Sequence, residues 1–184
     1  RQMCIRDRYN KEGKKEGLWV KNYDNGVVQE EKRYVNGIRE GEYRSYYLNG
    51  QLETKKTYKN GNIDGVYETY YIDGKLNSIR HLVNGENKGL AEEFYPNGVL
   101  KRRAIYTGMS TTSENIKYYP NGQVKVEVNL KDGMMYGPYK EYYSNGALYI
   151  ECNYGENGKL NGEYKEYDTS GHLIKKSIYV NGKC

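Results

Sequence analysis

At 184 residues the chain has the length of one ordinary domain, yet it carries one Phe against 23 Tyr, so the wholly apolar material of a thick globular core is missing. The net charge of +5 comes from 29 basic and 24 acidic residues with the two signs interspersed, which argues against the clustered basic face of a nucleic-acid binder. No apolar run reaches the length of a membrane-spanning helix.

The first eight residues, RQMCIRDR, fit nothing that follows, and residues 1–12 read as a non-repeat or degenerate segment. The chain opens on Arg, not Met, and stops at Gly182-Lys183-Cys184, inside what should be a turn, so it reads as a fragment. From Gly13 onward a single pattern governs the sequence, and residues 13–184 form an array of about seven copies.

The pattern is clearest from Gly41 to Asp64, GEYRSYYLNGQLETKKTYKNGNID. Two strand-like runs are separated by Asn49-Gly50 and closed by Asn60-Gly61. Asn-Gly between such runs is a strong hairpin signal, because a type I′ turn needs positive φ at both central residues. The Gly of the first turn recurs at Gly26, Gly50, Gly74, Gly98, Gly122, Gly146 and Gly171, in five steps of 24 and one of 25. The second turn keeps pace at Gly37, Gly61, Gly85, Gly133 and Gly182, with Gly158 one residue late. Rings recur with the glycines: Trp19, Tyr43, Tyr67, Tyr139 and Tyr164 at one position, and pairs such as Tyr46-Tyr47, Tyr70-Tyr71 and Tyr142-Tyr143 at another.

A repeat of this length implies units that bury surface only against their neighbours. Connections this short force antiparallel pairing. The expected fold is all-β, an elongated single-layer antiparallel meander of hairpins. Fourteen strands spaced by about 4.8 Å would span about 65 Å. Period-2 alternation places Tyr46 and Tyr47 on opposite faces, so one ring row should close a concave side and the other should be free. A surface to grip is expected, without an enclosed pocket.

The regularity breaks in the middle. Ala91 and Asn115 stand where the other copies have a ring, Ser113 replaces the expected Gly, and residues 107–115 read TGMSTTSEN. Two readings stay open: a decayed copy that weakens the array, or a hydroxyl-rich loop used in partner choice. Pro96 and Pro120 precede Asn-Gly turns at strand ends, where a missing N–H is tolerated. Cys4, Cys152 and Cys184 share no spacing that suits a disulfide framework or a zinc site. His81, His172, Cys152 and Ser110 to Ser113 lie in separate copies that a meander does not bring together, so no catalytic set, metal or cofactor is expected.

The motif G-x-Y-x-x-Y-Y-x-N-G-x-L, here Gly41-Glu42-Tyr43-Arg44-Ser45-Tyr46-Tyr47-Leu48-Asn49-Gly50-Gln51-Leu52, resembles the variant MORN repeat found in bacterial YwqK-family antitoxins. The resemblance runs from Gly13 to Lys183. It implies a hairpin scaffold without enzymatic activity, and, for the antitoxin label, a protein that binds and blocks a co-encoded toxin. MORN proteins more broadly are linked to membranes and to phosphatidylinositol phosphate kinases, but no kinase signature or P-loop occurs here. The expected partner is therefore a protein, contacted through Tyr47, Tyr71, Tyr95, Tyr119 and Tyr143, since Tyr is enriched at binding hot spots. No nucleic acid and no small-molecule substrate are expected, and the expected compartment is the cytoplasm. The alternative is a scaffold at a membrane surface or cell envelope, with Lys101, Arg102 and Arg103 as its basic patch.

Overall fold

The computed structural model describes residues 8–107 and 113–184. Residues 1–7, with Cys4, and residues 108–112 of the irregular segment lie outside them. The described residues contain strands and turns and no helix. This follows from β-branched and aromatic residues alternating in short runs between Gly-containing turns.

The chain divides into two compact units, residues 1–88 and 89–184. The first holds β1 (Arg8–Tyr9), β2 (Lys15–Asn22), β3 (Val28–Val35), β4 (Ile38–Arg39), β5 (Gly41–Tyr46), β6 (Leu52–Lys59), β7 (Asn62–Tyr70) and β8 (Leu76–Val83). Its strands follow chain order, each antiparallel to the last, with the two-residue β4 set beside β3. The short β1 pairs with the start of β2, so Arg8 and Tyr9 already join the sheet. β9 (Glu86–Phe94) carries the chain into the second unit. There β10 (Leu100–Tyr106), β11 (Ser113–Tyr118), β12 (Val124–Lys131), β13 (Met134–Tyr142), β14 (Leu148–Tyr154), β15 (Leu160–Tyr167) and β16 (Leu173–Tyr179) again pair in sequence. The antiparallel hairpin meander expected from the repeat is what each unit contains.

The two turns of a copy differ, and this corrects the expectation of a type I′ turn at the first. At the second turn, Asn60 and Gly61 have φ of 50° and 84°, and Asn36, Asn84, Asp132 and Asn181 share the positive φ of Asn60. These are the two-residue I′ turns. At the first turn only Gly50 is positive. Tyr47 N–H donates to the Gln51 carbonyl and Gly50 N–H to the Tyr47 carbonyl, both at 2.8 Å, which makes a three-residue loop ending in a glycine bulge. Asn49 stays out of the left-handed region because its side chain is used twice: Oδ1 accepts from Gln51 N–H at 3.0 Å, and Nδ2 donates to the Ile72 carbonyl of the next copy at 3.0 Å. The same loop explains the late Gly158, since Gly155 and Gly158 make the identical pair of bonds around Lys159. The extra residue is absorbed by changing the turn type.

A β-bulge accompanies every first-turn hairpin. Between β5 and β6, Ser45 opposes Thr54 but Tyr46 opposes Leu52, leaving Glu53 as the extra residue. On one face of unit 1 this register aligns a row of Trp19, Lys32, Tyr43, Lys56, Tyr67 and Arg80. Beside it Tyr34, Tyr58 and Leu82 are the buried apolar side chains. Ring pairs cross the row edge to face, Trp19 with Tyr34 at 5.8 Å and Tyr43 with Tyr58 at 6.2 Å. Each such pair is worth about 0.5–1.5 kcal/mol beyond its burial. The Lys56 ammonium lies 4.7 Å from the Tyr43 ring centre, 5.6 Å from Tyr58 and 5.2 Å from Tyr67, so its stem covers what a single-layer sheet would leave wet.

In unit 2 the equivalent row reads Ala91, Ala104, Asn115, Val128, Tyr139, Cys152, Tyr164. Its ring pairs are Tyr139 with Tyr154 and Tyr164 with Tyr179. The first four positions have no ring at all.

Candidate functional site

The five tyrosines expected to meet a partner sit at the first turns, and all are half-buried. Tyr47, Tyr95, Tyr119 and Tyr143 each donate their hydroxyl to a backbone carbonyl of the following copy, that of Tyr70, Tyr118, Tyr142 and Tyr167, at 2.8–2.9 Å. Tyr23 does the same to Tyr46. Tyr71 keeps the same turn bonds as the others. The hydroxyls of Tyr47, Tyr95, Tyr119 and Tyr143 therefore hold one hairpin to the next. Their neighbours Tyr46 and Tyr142 point to the opposite face, donating to Glu31 and Glu127 at 3.0 Å. Removing one staple leaves a carbonyl without its donor. Tyr119→Phe should lower stability by about 1 kcal/mol, read as a reduced urea midpoint with unchanged slope.

The basic triplet does not form one patch. Arg102 donates to Glu93 at 3.2 Å on one face, while Arg103 reaches Glu92 at 2.8 Å on the other. Alternation separates them. Lys101 would belong with Arg103, but it is the bulged residue of its hairpin, and the register shift between Leu100 and Arg102 brings it to Glu93 as well, at 4.0 Å. Each member of the triplet thus meets a glutamate, which weakens a purely electrostatic attraction to an anionic membrane.

Where the ring row is interrupted, unit 2 holds a hollow of about 470 Å³. Its lining includes Tyr95, Lys101, Arg102, Asn115, Lys117 and Lys125, with Val128, Leu130 and Met135 as the apolar part and Glu93 as the one carboxylate. Asn115 is 3 % exposed and fully employed. Its Oδ1 accepts from Arg102 Nε at 3.1 Å and Nη2 at 2.5 Å, and its Nδ2 donates to Ser113 Oγ at 2.8 Å and the Ser113 carbonyl at 3.2 Å. Ser113 itself is buried. The middle copy has therefore exchanged a ring for a hydrogen-bonded cluster. Lys125, a bulged residue like Lys101, lies 5.4 Å from the Tyr119 ring centre. The hollow was not foreseen; the absent rings at 91 and 115 were its signal, and its cations Lys117 and Lys125 carry no mark in the sequence.

Elsewhere the chemistry is quiet. Burial pushes the Cys152 thiol up to about 11, away from the reactive thiolate. His172 binds Asp168 within its own turn at 3.2 Å. Among the described residues no cluster of His, Cys, Asp or Glu could hold a metal ion.

The MORN repeat variant model matches residues 15–36, 39–60, 88–107, 113–132, 135–156 and 160–181. No curated protein matches the chain. The matched segments each span one hairpin with its first turn and together cover most of the sequence, and the chain belongs to the MORN repeat variant family.

Proposed function

We propose that this chain is a non-catalytic scaffold that binds a protein, and that the partner is a toxin it neutralises. The observation that carries the reading is at the tips of the first turns. Leu48 and Ile72 stand 60 % and 63 % exposed, one repeat apart, beside the rings of Tyr47 and Tyr71. Single exposed apolar residues are ordinary, but here the spacing of the copies sets them in register with amphipathic rings, the composition that protein interfaces favour. The antitoxin part rests on the likeness of the Gly41–Leu52 motif to YwqK-family repeats. Co-expression with the neighbouring reading frame tests it. The reading requires that product to be toxic alone and to co-purify with this chain; a harmless product, or no complex, removes the antitoxin reading.

A membrane-surface scaffold is the second reading, favoured by the net charge of +5. Sedimentation with anionic vesicles at low and physiological salt separates the two, since a lipid-surface binder loses affinity as salt rises. The ion pairs of Lys101, Arg102 and Arg103 lead us to expect little binding in either condition.

A further inference from the structure

We infer that the hollow of unit 2 is a binding site for a small organic anion with a flat apolar body. The inference is independent of the antitoxin reading. Three observations converge on it. The first is space: the row that carries Trp19, Tyr43 and Tyr67 in one unit and Tyr139 and Tyr164 in the other has Ala91 and Asn115 at its ring positions here, and the hollow opens beside Asn115 and Val128. The hollow of about 470 Å³ falls within the roughly 300–1,000 Å³ range of small-molecule sites.

The second is charge. Four cations, Lys101, Arg102, Lys117 and Lys125, line the hollow against the single carboxylate of Glu93. Glu93 is engaged by Arg102 at 3.2 Å and approached by Lys101 at 4.0 Å. Among the described residues no carboxylate lies within ion-pair distance of Lys117 or Lys125. Two cations placed so leave a local excess of positive charge that a ligand anion offsets, in a concavity that strengthens the attraction relative to a flat surface.

The third is construction. Arg102 is fixed by Asn115 and Glu93 rather than free to swing, and Asn115 is fixed by Ser113, so this wall of the hollow is preorganised. Val128, Leu130 and Met135 supply apolar contact, the thioether of Met135 suiting an aromatic edge. The ligand class is accordingly an aromatic carboxylate or aryl phosphate. Its ring would lie against Val128, Leu130 and Met135, and its anionic group would lie toward Lys117 and Lys125.

The test is titration of the full chain with 2-naphthoate, followed residue by residue through amide chemical shifts, with 2-naphthol and inorganic phosphate as the uncharged-body and bodiless-anion controls. The expected result is saturable binding of 2-naphthoate with shifts centred on β10 to β12, at least tenfold weaker binding of either control, and weakening with salt. Lys117 and Lys125 are not part of the Ser113–Asn115–Arg102 cluster, so a Lys117→Gln, Lys125→Gln variant should fold normally and lose at least tenfold in affinity. Shifts scattered over all copies, binding unaffected by the double substitution, or no saturable binding of 2-naphthoate would each overturn the inference.

Discussion

Tyr58→Ala should destabilise the protein by about 3 kcal/mol, the lower end of what deleting a buried ring costs. Tyr58 is 8 % exposed and sits at a crossing of contacts. Its ring meets Tyr43 edge to face at 6.2 Å, the Arg39 guanidinium lies 5.3 Å from its centre, and Arg39 Nη1 donates to its hydroxyl at 3.1 Å. A sheet one layer thick has no second layer to collapse into the space, so the cavity stays open to water and the rings beside it lose a wall. The control is Ile178→Ala at a position 63 % exposed on β16, where the change should stay within about 0.5 kcal/mol. Urea unfolding of both variants reads the difference; equal midpoints would show that the Tyr34, Tyr58 and Leu82 row is not the core.

The second large effect should come from Arg102→Met, at about 2–3 kcal/mol, because it strips a buried amide oxygen of both donors and leaves Glu93 without its closest cation. Arg103→Met, one residue away on the opposite face, breaks only its contact with Glu92 and should cost about 0–1 kcal/mol. The asymmetry between adjacent arginines separates a structural cluster from a surface charge patch. Adding Asn115→Leu to Arg102→Met removes the orphaned amide and should recover part of the loss, since replacing both partners by apolar groups is far cheaper than removing one.

Much of the fold was legible in the sequence because glycine leaves a positional record. Gly50 and Gly61 both adopt positive φ, at 83° and 84°, and their spacing revealed strand length and antiparallel order. The turn types were not legible, because Asn-Gly serves both. What separates them is whether the Asn side chain bonds forward to the next copy, as Asn49 does to Ile72, and that partner is 23 residues away. The bulges were hidden for a related reason: a register shift at Lys101 reverses the face that alternation assigns to it, and nothing in Leu100-Lys101-Arg102-Arg103 announces the shift.

The tyrosine rows show that recurrence has a structural cause. Tyr47, Tyr95, Tyr119 and Tyr143 recur because every copy must be tied to the next, and their hydroxyls are consumed in doing so. In an array of like units, what all copies share serves the array, whereas what one copy lacks is where a particular chemistry can be placed. Ala91 and Asn115 are visible in the sequence as departures, but an absence of rings reads as loss until the cations around the neighbouring hollow are seen together.

The most direct test of the account is a spectrophotometric titration of the tyrosines with sheet content followed in parallel. Burial first, and then the adjoining carboxylates of Glu127 and Glu166, push the hydroxyls of Tyr142 and Tyr164 up to about 12, and burial raises Tyr43, Tyr47 and Tyr70 above their ordinary value of 10. In the unfolded chain these groups ionise near 10, so the stabilisation they represent is whole below pH 10 and declines as pH rises from 10 toward 12. The account predicts a class of tyrosines that ionises well above pH 10, together with loss of the sheet signal. Ionisation of all 23 near pH 10 with the sheet intact would contradict it, for then the rings would not be holding the copies together.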